Sequence, residues 1–188
     1  MEKNTGMINI RKLTKSEICS GLFSDFVRRQ QVSKVWRKTD GEWQIKDEPF
    51  IDDWDEEDWE YIVRCLKNTA STGGMVSGAF SDGKLKGFVS VEGAKFGSRN
   101  QYMDMFCLHV SADMRRQGVG AKLFRAAVDF ARESEAEKLY ISALASAETQ
   151  DFYRAMGCKP ALEQSPAHVD KEPPEVQLEY VIEKGKPL

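Results

Sequence analysis

The hydrophobic pattern between residues 101 and 132 predicts a strand, a short turn and a helix. Most side chains from Tyr102 to Val110 are aromatic, β-branched or long and apolar, and Asp104 is the one charged residue among them. This composition is typical of a strand that is buried on both faces. Beyond a polar break at 111–113, apolar residues recur at helical spacing with charged residues between them, which predicts an amphipathic helix. The apolar positions of that helix are Val119, Leu123, Ala127 and Phe130.

Alternating apolar and polar residues on both sides of an Asp-Gly pair predict two β-hairpins. The first surrounds Asp40-Gly41 and covers roughly residues 31–46. The second joins Met75–Phe80 to Lys84–Val91 through Asp82-Gly83. Asp-Gly favours the two-residue turn in which both residues have positive φ, so it is a strong short-range hairpin signal.

The same patterns predict further strands and two more helices. Ser16 is a candidate N-cap for a helix that runs to about Arg29, and Ser146 is one for a helix that Gly157 ends. The further predicted strands are Met7–Leu13 at a sheet edge, Lys138–Leu144 and Val176–Glu183.

The stretch 51–60 is rich in acidic residues and tryptophan and leads into an amphipathic helix. Acidic residues in a first helical turn complement the helix dipole and stabilise the helix by about 0.3–1 kcal/mol each. A second interpretation is a vestibule in which carboxylates and indole rings attract a cationic amine. Trp54 and Asp55 are the candidate substrate contacts of that vestibule.

The bulk composition is that of an ordinary globular protein. A chain of 188 residues is long enough for one domain over 1–188. A net charge of −3 and a pI near 5.6 give no whole-molecule attraction to nucleic acid or to an anionic membrane. The N-terminus has no apolar signal-peptide core, and no window approaches the roughly 18 apolar residues of a membrane span. A cytoplasmic location is therefore expected.

Cysteine and histidine usage points away from a disulfide framework and from a metal site. The four cysteines, at 19, 65, 107 and 158, are widely scattered. They are expected to be buried thiols in a reducing compartment. Cys107 and His109 are too few ligands for zinc, and His168 is the only other histidine, so no metal is expected.

The junction Arg115–Gly120 between the predicted strand and helix has features of a phosphate site. The first amides of a helix have no intrahelical acceptor, and glycines let an anion approach the backbone. Gly118 and Gly120 lack the third glycine of the dinucleotide fingerprint and the Gly-Lys-Ser/Thr end of a nucleotide P-loop. From these residues alone, a phosphate site and an ordinary packing turn both remain open.

The order of two motifs resembles small bacterial-type members of the GCN5-related N-acetyltransferase (GNAT) superfamily. Arg115–Ala121 is similar to the family's Gln/Arg-x-x-Gly-x-Gly/Ala element, and Phe152–Cys158 is similar to its Phe-Tyr-x-x-x-Gly-Phe. The motif-bearing core is 75–160. The resemblance implies an α/β (α+β) fold, with a mixed, mostly antiparallel central sheet of about seven strands flanked by helices. The hairpin near 31–46 would be an insertion on the substrate side.

The resemblance implies acetyl-CoA as cosubstrate, with the protein supplying position and proton management. The residues expected to bind its diphosphate are Arg115, Arg116, Gln117, Gly118, Val119, Gly120 and Ala121. The pantetheine would run as an added strand beside Leu108, His109 and Val110, with the acetyl carbonyl polarised by an amide near Leu108. Ser146 stands where the family often has Asn, and would contact the pantetheine or cap its helix.

Two residues are the catalytic candidates. By resemblance, Tyr153 would hydrogen-bond or protonate the departing thiolate, because a phenol stays protonated at neutral pH and can donate. Asp104 lies eleven residues before Arg115, where histone-acetylating relatives have a glutamate base. An aspartate with an ordinary pKa of about 3.9 is a weak base, so it would need burial or a relaying water. Asp104 as a paired strand residue remains open, and Glu92 and His109 are alternative bases.

The sequence therefore predicts an N-acetyltransferase that moves acetyl from acetyl-CoA directly to a primary amine of a small cationic molecule. Glu92 joins Trp54 and Asp55 as a possible substrate contact. One alternative is acetylation of a protein N-terminus or lysine. Another is a non-catalytic acyl-CoA sensor, and the only feature that favours it is Ser146 in place of the family's Asn. A monomer or a homodimer is expected, with no nucleic-acid or membrane partner.

Overall fold

The computed structural model describes residues 7–165 and 175–183. Over these residues the chain forms a four-stranded sheet, a five-stranded sheet, a two-stranded hairpin and three α-helices. The helices are α1 (Glu56–Ser71), α2 (Val119–Glu133) and α3 (Ala147–Ala155). The strands are β1 (Asn9–Lys12), β2 (Gln30–Thr39), β3 (Glu42–Asp52), β4 (Met75–Ser81), β5 (Lys84–Val91), β6 (Lys95–Phe96), β7 (Tyr102–Met105), β8 (Cys107–Val110), β9 (Lys138–Leu144), β10 (Lys159–Pro160) and β11 (Glu175–Val181).

The strands have the mixed, mostly antiparallel character that the resemblance implies, but they form two main sheets, of four and five strands. The first has the order β1-β4-β5-β8 and is antiparallel throughout, with β1 at its edge as expected. The second has the order β10-β11-β9-β7-β6, and its β7–β9 pair is parallel. The strand predicted over Tyr102–Val110 is divided at Phe106, because its first half pairs with β9 and its second half with β5. The two successive strands β7 and β8 thus belong to different sheets.

Helices cover both faces of the first sheet. α2 lies on one face, where Leu123, Phe124 and Ala127 are buried. α1 lies on the other face and buries Leu66 against Phe88. Both helices bury the face that their apolar periodicity predicts.

Both predicted hairpins are confirmed, together with their turns. Asp40 and Gly41 have φ values of 51° and 87°, and Asp82 and Gly83 have 50° and 76°. These paired positive angles belong to the two-residue turn that Asp-Gly favours. The first hairpin is longer than its predicted range of 31–46, because β2 and β3 extend over residues 30–52. The beginning of the acidic stretch is therefore strand.

The predicted helix from Ser16 to Arg29 is wrong. The segment forms turns and one short 3-10 helix at Ser20–Phe23. The N–H and the hydroxyl of Thr14 both donate to the Glu17 carboxylate at 2.8 Å, which fixes a local turn. Serine, glycine and aspartate are poor helix formers and compete for such local bonds. The apolar residues of the segment are still buried, so the hydrophobic pattern predicted their burial correctly but not the conformation of the backbone.

The expectation of four buried cysteines is correct for only some of them. Cys107 and Cys158 are buried, and burial raises the pKa of each thiol to about 12. Cys65 is partly exposed, and Cys19, which lies in the irregular segment, is exposed.

The chain beyond residue 165 is described only in part. β11 confirms the predicted final strand. Pro166, His168, Pro173 and Pro174 lie outside the described residues. Among the helices that the structure describes, none has both the length and the apolar character needed to cross a bilayer.

A charged network at Glu179 fastens β11 to β9 and β7. The carboxylate accepts from the Tyr102 hydroxyl at 2.5 Å, from Lys138 Nζ at 2.7 Å and from the Leu162 N–H at 3.1 Å. Burial raises the pKa of Glu179, but these three donors outweigh it and hold the pKa below its ordinary value. The ionised carboxylate therefore stabilises the folded state.

We predict that Glu179→Gln lowers the free energy of unfolding by about 3 kcal/mol at pH 7, because it leaves the Lys138 ammonium without its counter-charge. The pKa of Glu179 is lower in the folded state than in the unfolded state. Its stabilisation is therefore complete above about pH 5 and is lost as the pH falls through the folded-state pKa. In urea unfolding, the difference between wild type and variant should shrink between about pH 6 and about pH 3.

The matched control is Glu60→Gln on the exposed surface of α1. Its unfolding free energy should differ little from that of the wild type at every pH. A difference for Glu179→Gln that stays constant across this pH range would contradict the linkage.

Candidate functional site

The two sheets separate at Phe106, and this separation leaves an opening beside β8. β7 pairs with the first half of β9, Lys138–Ile141, whereas β8 pairs with β5. β9 continues to its end with β11 on its other side. Over the described residues, no ladder joins Ser142–Leu144 to Cys107–Val110. We call the space between these two segments the cleft.

The backbone of β8 directs hydrogen-bonding groups into the cleft. The Ser111 N–H donates to the Lys86 carbonyl of β5 at 2.9 Å. Because successive residues of a strand point to alternate sides, the backbone groups of Leu108 and Val110 point away from β5. The Val110 carbonyl accepts from Arg115 Nε at 3.1 Å. The N–H groups of Leu108 and Val110 are left for an extended ligand to pair with.

The N-terminus of α2 lies beside the cleft and supplies no negative charge of its own. The helix begins at Val119, the first of its predicted apolar positions, after Gly118 with φ of 79°. Gly118 makes no side-chain cap, and the first turn holds no acidic residue. A Cβ atom added to Gly118 would meet nothing within 4 Å, so the space in front of these amides is open. Such a terminus attracts an anion through its N–H groups and dipole.

α1 provides the contrast within the same chain. Its N-cap Asp55 accepts from the Asp58 N–H at 3.0 Å, and the Asp58 carboxylate accepts from the Asp55 N–H at 3.1 Å. Glu56 and Glu57 add two more acidic side chains to the first turn. α1 therefore satisfies its own terminus, and the capping role accounts for Asp55.

Gly120 brings the turn, β8 and α3 into contact. A Cβ atom at this position would lie 3.2 Å from the Phe152 ring and 3.7 Å from Val110 Cγ2. A side chain there would push α2 away from α3. Glycine is therefore favoured at the two positions for different reasons. Gly118 has a left-handed backbone, and Gly120 is closely packed.

The side chains before Gly118 are mostly engaged by the protein. Arg115 donates to the carbonyls of Val110 and Arg28 at 3.1 and 3.0 Å. Burial, followed by the nearby Arg28 charge, lowers the pKa of Arg115. The Gln117 amide donates to the Asp113 carbonyl at 3.1 Å. Arg116 is exposed, with φ of 58°.

α3 positions Ser146 and Tyr153. The Ser146 hydroxyl accepts from the Thr149 N–H at 3.3 Å and donates to Thr149 Oγ1 at 2.8 Å, so it caps the helix as predicted. Gln150 donates to the Leu144 carbonyl at the end of β9 at 3.0 Å. Burial raises the pKa of Tyr153 far above its ordinary value, and the nearby thiols of Cys158 and Cys107 raise it further. The phenol is therefore protonated at neutral pH.

Asp104 and Glu92 meet where the sheets separate. The Glu92 N–H donates to the Asp104 carbonyl at 2.8 Å. The Glu92 carboxylate accepts from the Thr69 hydroxyl at 2.6 Å. Asp104 is half-buried and stands opposite Tyr140 of β9. Burial raises the pKa of Tyr140, and the Asp104 charge contributes to the rise. Sequence reasoning missed Tyr140, because only the strand register places it next to Asp104.

His109 and Trp54 lie together, with a buried arginine beside them. Their ring centroids are 4.6 Å apart. The Arg28 guanidinium lies 4.5 Å from the Trp54 ring centroid and pairs with Asp52 at 2.7 Å. Burial lowers the pKa of His109 well below its ordinary value, and the charges of Arg28 and Arg115 lower it further, so the imidazole is neutral. Arg28 had no sequence signal, because it lies in the segment mispredicted as helix.

The described residues hold no group of three or more His, Cys, Asp or Glu side chains arranged to bind a metal ion. The groups around the cleft are instead main-chain N–H groups, carboxylates and phenols. These can bind an anion, accept a proton and donate a hydrogen bond.

The fold is similar to that of solved acetyltransferases. A nourseothricin acetyltransferase matches with a TM-score of 0.71 and 19% identity over 94% of this chain and 99% of the other. A Bacillus anthracis protein assigned as a streptothricin acetyltransferase, solved with acetyl coenzyme A, matches with a TM-score of 0.68 and 15% identity. This match covers 94% of this chain and 97% of the other. An aminoglycoside 6′-N-acetyltransferase complexed with coenzyme A matches with a TM-score of 0.55 and 13% identity. This match covers 71% of this chain and 84% of the other.

Sequence comparison shows the family. A search of curated proteins found no match. The family model described as Acetyltransferase (GNAT) family matches residues 35–158, which is about two thirds of the 188 residues. This match covers both motifs, the cleft and the start of α2, and the chain therefore belongs to the GNAT acetyltransferase family.

Proposed function

We propose that the protein transfers the acetyl group of acetyl-CoA directly to a primary amine of a small cationic molecule, with no covalent enzyme intermediate. The observation that carries the proposal is the uncapped N-terminus of α2 beside the open edge of β8. Two of the similar structures were solved with acetyl coenzyme A or coenzyme A, which supports the cofactor class. The second sequence motif supplies a buried phenol for the leaving group.

The residues of the cleft fit a long anionic thioester. Acetyl-CoA would supply an activated acetyl group. The amides from Gly118 to Ala121 would bind its diphosphate, with exposed Arg116 adding positive charge. The Val110 N–H would pair with the extended pantetheine arm. The Leu108 N–H would bond the acetyl carbonyl and polarise it, because it points into the cleft.

The carboxylates at the sheet separation would handle the proton of the acceptor. An alkylammonium with a pKa of about 10.4 is neutral only about once in 10³ at pH 7. Asp104 or Glu92 would accept its proton directly or through water. The freed nitrogen would attack the carbonyl carbon, and the carbon–sulfur bond would break with its electron pair going to sulfur. The nitrogen would lose its second proton to water as the amide forms, and the CoA thiolate would take up a proton from water. The acidic character of this region also favours a cationic acceptor.

Tyr153 would stabilise the departing sulfur by donating a hydrogen bond. Its raised pKa makes complete proton transfer to a thiolate unfavourable, since an ordinary thiol has a pKa of only about 8.5. A neutral phenol still donates a strong hydrogen bond to an anion. Hydrogen bonding is thus the better supported of the two roles expected for this residue.

Small-molecule acceptors have more support than protein acceptors or a sensor role. Similar folds include acetyltransferases named for nourseothricin, streptothricin and aminoglycosides. The sensor alternative rests on Ser146 in place of Asn, and the capping bonds to Thr149 give that serine a structural role.

The function is tested by measuring thiol release from acetyl-CoA with a panel of polyamines, aminoglycosides, aromatic amines and peptides. The proposal predicts turnover with small cationic amines. Turnover with peptides alone would identify a protein acetyltransferase. Binding of CoA without turnover on any amine would identify a sensor.

We predict that Tyr153→Phe lowers kcat about a hundredfold and changes the acetyl-CoA dissociation constant less than about threefold, since the hydroxyl acts on the leaving sulfur. Tyr180→Phe is the matched control, because both tyrosines pack against Phe124. It should keep nearly full activity. An unchanged kcat in Tyr153→Phe would remove the phenol from the mechanism.

We predict that Gly118→Glu weakens acetyl-CoA binding at least about a hundredfold in calorimetry, because it puts negative charge where the diphosphate would bind. Gly118→Ala is the control. It carries the same penalty for a side chain at φ of 79° but adds no charge, and it should bind within about tenfold of the wild type. Circular dichroism checks that both variants fold. Equal affinities of the two variants would show that charge at this turn is irrelevant to binding.

A further inference from the structure

The outer edge of β3 is an unpaired strand edge with apolar side chains. β3 pairs with β2 on one side, and no ladder of the described residues occupies its other side. Trp43 is 47% exposed and Ile45 is 51% exposed. A long exposed edge with large apolar side chains is a template for pairing with another chain.

The hairpin geometry fixes which residues present their backbone at this edge. The two-residue turn joins Thr39 to Glu42, and such a turn closes with hydrogen bonds between its flanking residues. The backbone groups of Gln44 and Lys46 therefore also point to β2. Those of Trp43 and Ile45 point outward. The Trp36 N–H, opposite Ile45, agrees with this alternation, because it points away from β3 and donates to the Ala145 carbonyl at 2.7 Å.

The segment Glu42–Lys46 is complementary to itself in the antiparallel direction. If Gln44 stands opposite Gln44 of a second copy, Trp43 faces Ile45 and Glu42 faces Lys46 at both ends. Trp43 and Ile45 then form the hydrogen-bonded pairs, which agrees with the outward direction of their backbone groups. Opposite charges and apolar pairs directly across an antiparallel ladder are both stabilising.

Other registers lose this complementarity. Only shifts of two residues keep outward backbone groups opposite each other. One such shift places Glu42 opposite Glu48 of the second copy, so that like charges meet. The opposite shift places Ile45 opposite Gly41 in the turn, which removes its apolar partner. Pro49 has no N–H and limits pairing at the other end of the strand.

We propose that Glu42–Lys46 is a homodimer interface, through which β3 pairs with β3 of a second copy about a two-fold axis at Gln44. The two hairpins then form one four-stranded antiparallel sheet, with an isologous contact. On one face, Trp43 and Ile45 of both copies lie side by side, next to the two Trp36 rings. On the other face, Glu42 and Lys46 form two symmetric ion pairs.

The edge is held in place by the body of the protein. Val35 of β2 forms an isolated antiparallel bridge with Ser146. The Trp36 N–H donates a hydrogen bond to the carbonyl of Ala145, the residue after β9. Arg154 of α3 also lies over the Trp36 ring, 5.6 Å from its centroid. A pre-positioned strand loses less conformational freedom on pairing than a mobile one, which favours association.

Sedimentation equilibrium of the full chain and its charge variants tests the interface. The wild type should approach twice the chain mass of 21.3 kDa with increasing concentration. Lys46→Glu and Glu42→Lys each convert two attractive pairs into two repulsive ones, so each should weaken dimerisation by about tenfold or more. The double variant Glu42→Lys/Lys46→Glu restores opposite charges at both ends and should restore the dimer.

Lys15→Glu is the matched control, because it makes the same charge change on an exposed residue outside the hairpin. It should dimerise like the wild type. Slow exchange of the Trp43 and Ile45 amides in the dimer would report their new hydrogen bonds. A wild type that stays monomeric, a dimer unaffected by both single reversals, or a dimer that the double variant fails to restore would each overturn the proposal.

Discussion

A strand cannot follow two diverging sheets and keep partners on both sides. At Phe106 the chain leaves its parallel partner β9, and the following strand β8 pairs with β5 alone. Main-chain N–H groups need acceptors when they are removed from water, so the open side of β8 is a place that a ligand can complete. The cleft and the positions of Asp104 and Glu92 beside it follow from this divergence.

The N-terminus of α2 also has main-chain N–H groups without intrahelical partners, and it lies next to the open edge of β8. α1 neutralises its own N-terminus with a capping box and three acidic residues, whereas α2 begins at a bare glycine. Close packing of Gly120 against Phe152 and Val110 holds the start of α2 against β8 and α3. An open strand edge thus leads into a positive helix end. This combination suits a ligand with an extended amide-bearing arm and a diphosphate.

The sequence predicted the parts of the fold that depend on local chemistry. Asp-Gly turns, the cap at Ser146 and the periodicity of α2 were recognised because each signal lies within a few residues. The division at Phe106, the pairing of Asp104 with Tyr140, and Arg28 beside Trp54 depend on residues far apart in the chain. The helix predicted after Ser16 is wrong for a related reason. Its apolar residues are buried by contacts with distant parts of the chain, and their spacing happens to match that of a helix.

A crystal structure of the protein with bound acetyl-CoA tests the central claim most directly. The account predicts diphosphate oxygens about 3 Å from the N–H groups at the start of α2, a pantetheine arm paired with Val110, and the acetyl carbonyl oxygen about 3 Å from the Leu108 N–H. A diphosphate bound elsewhere, with those N–H groups facing solvent, would contradict it.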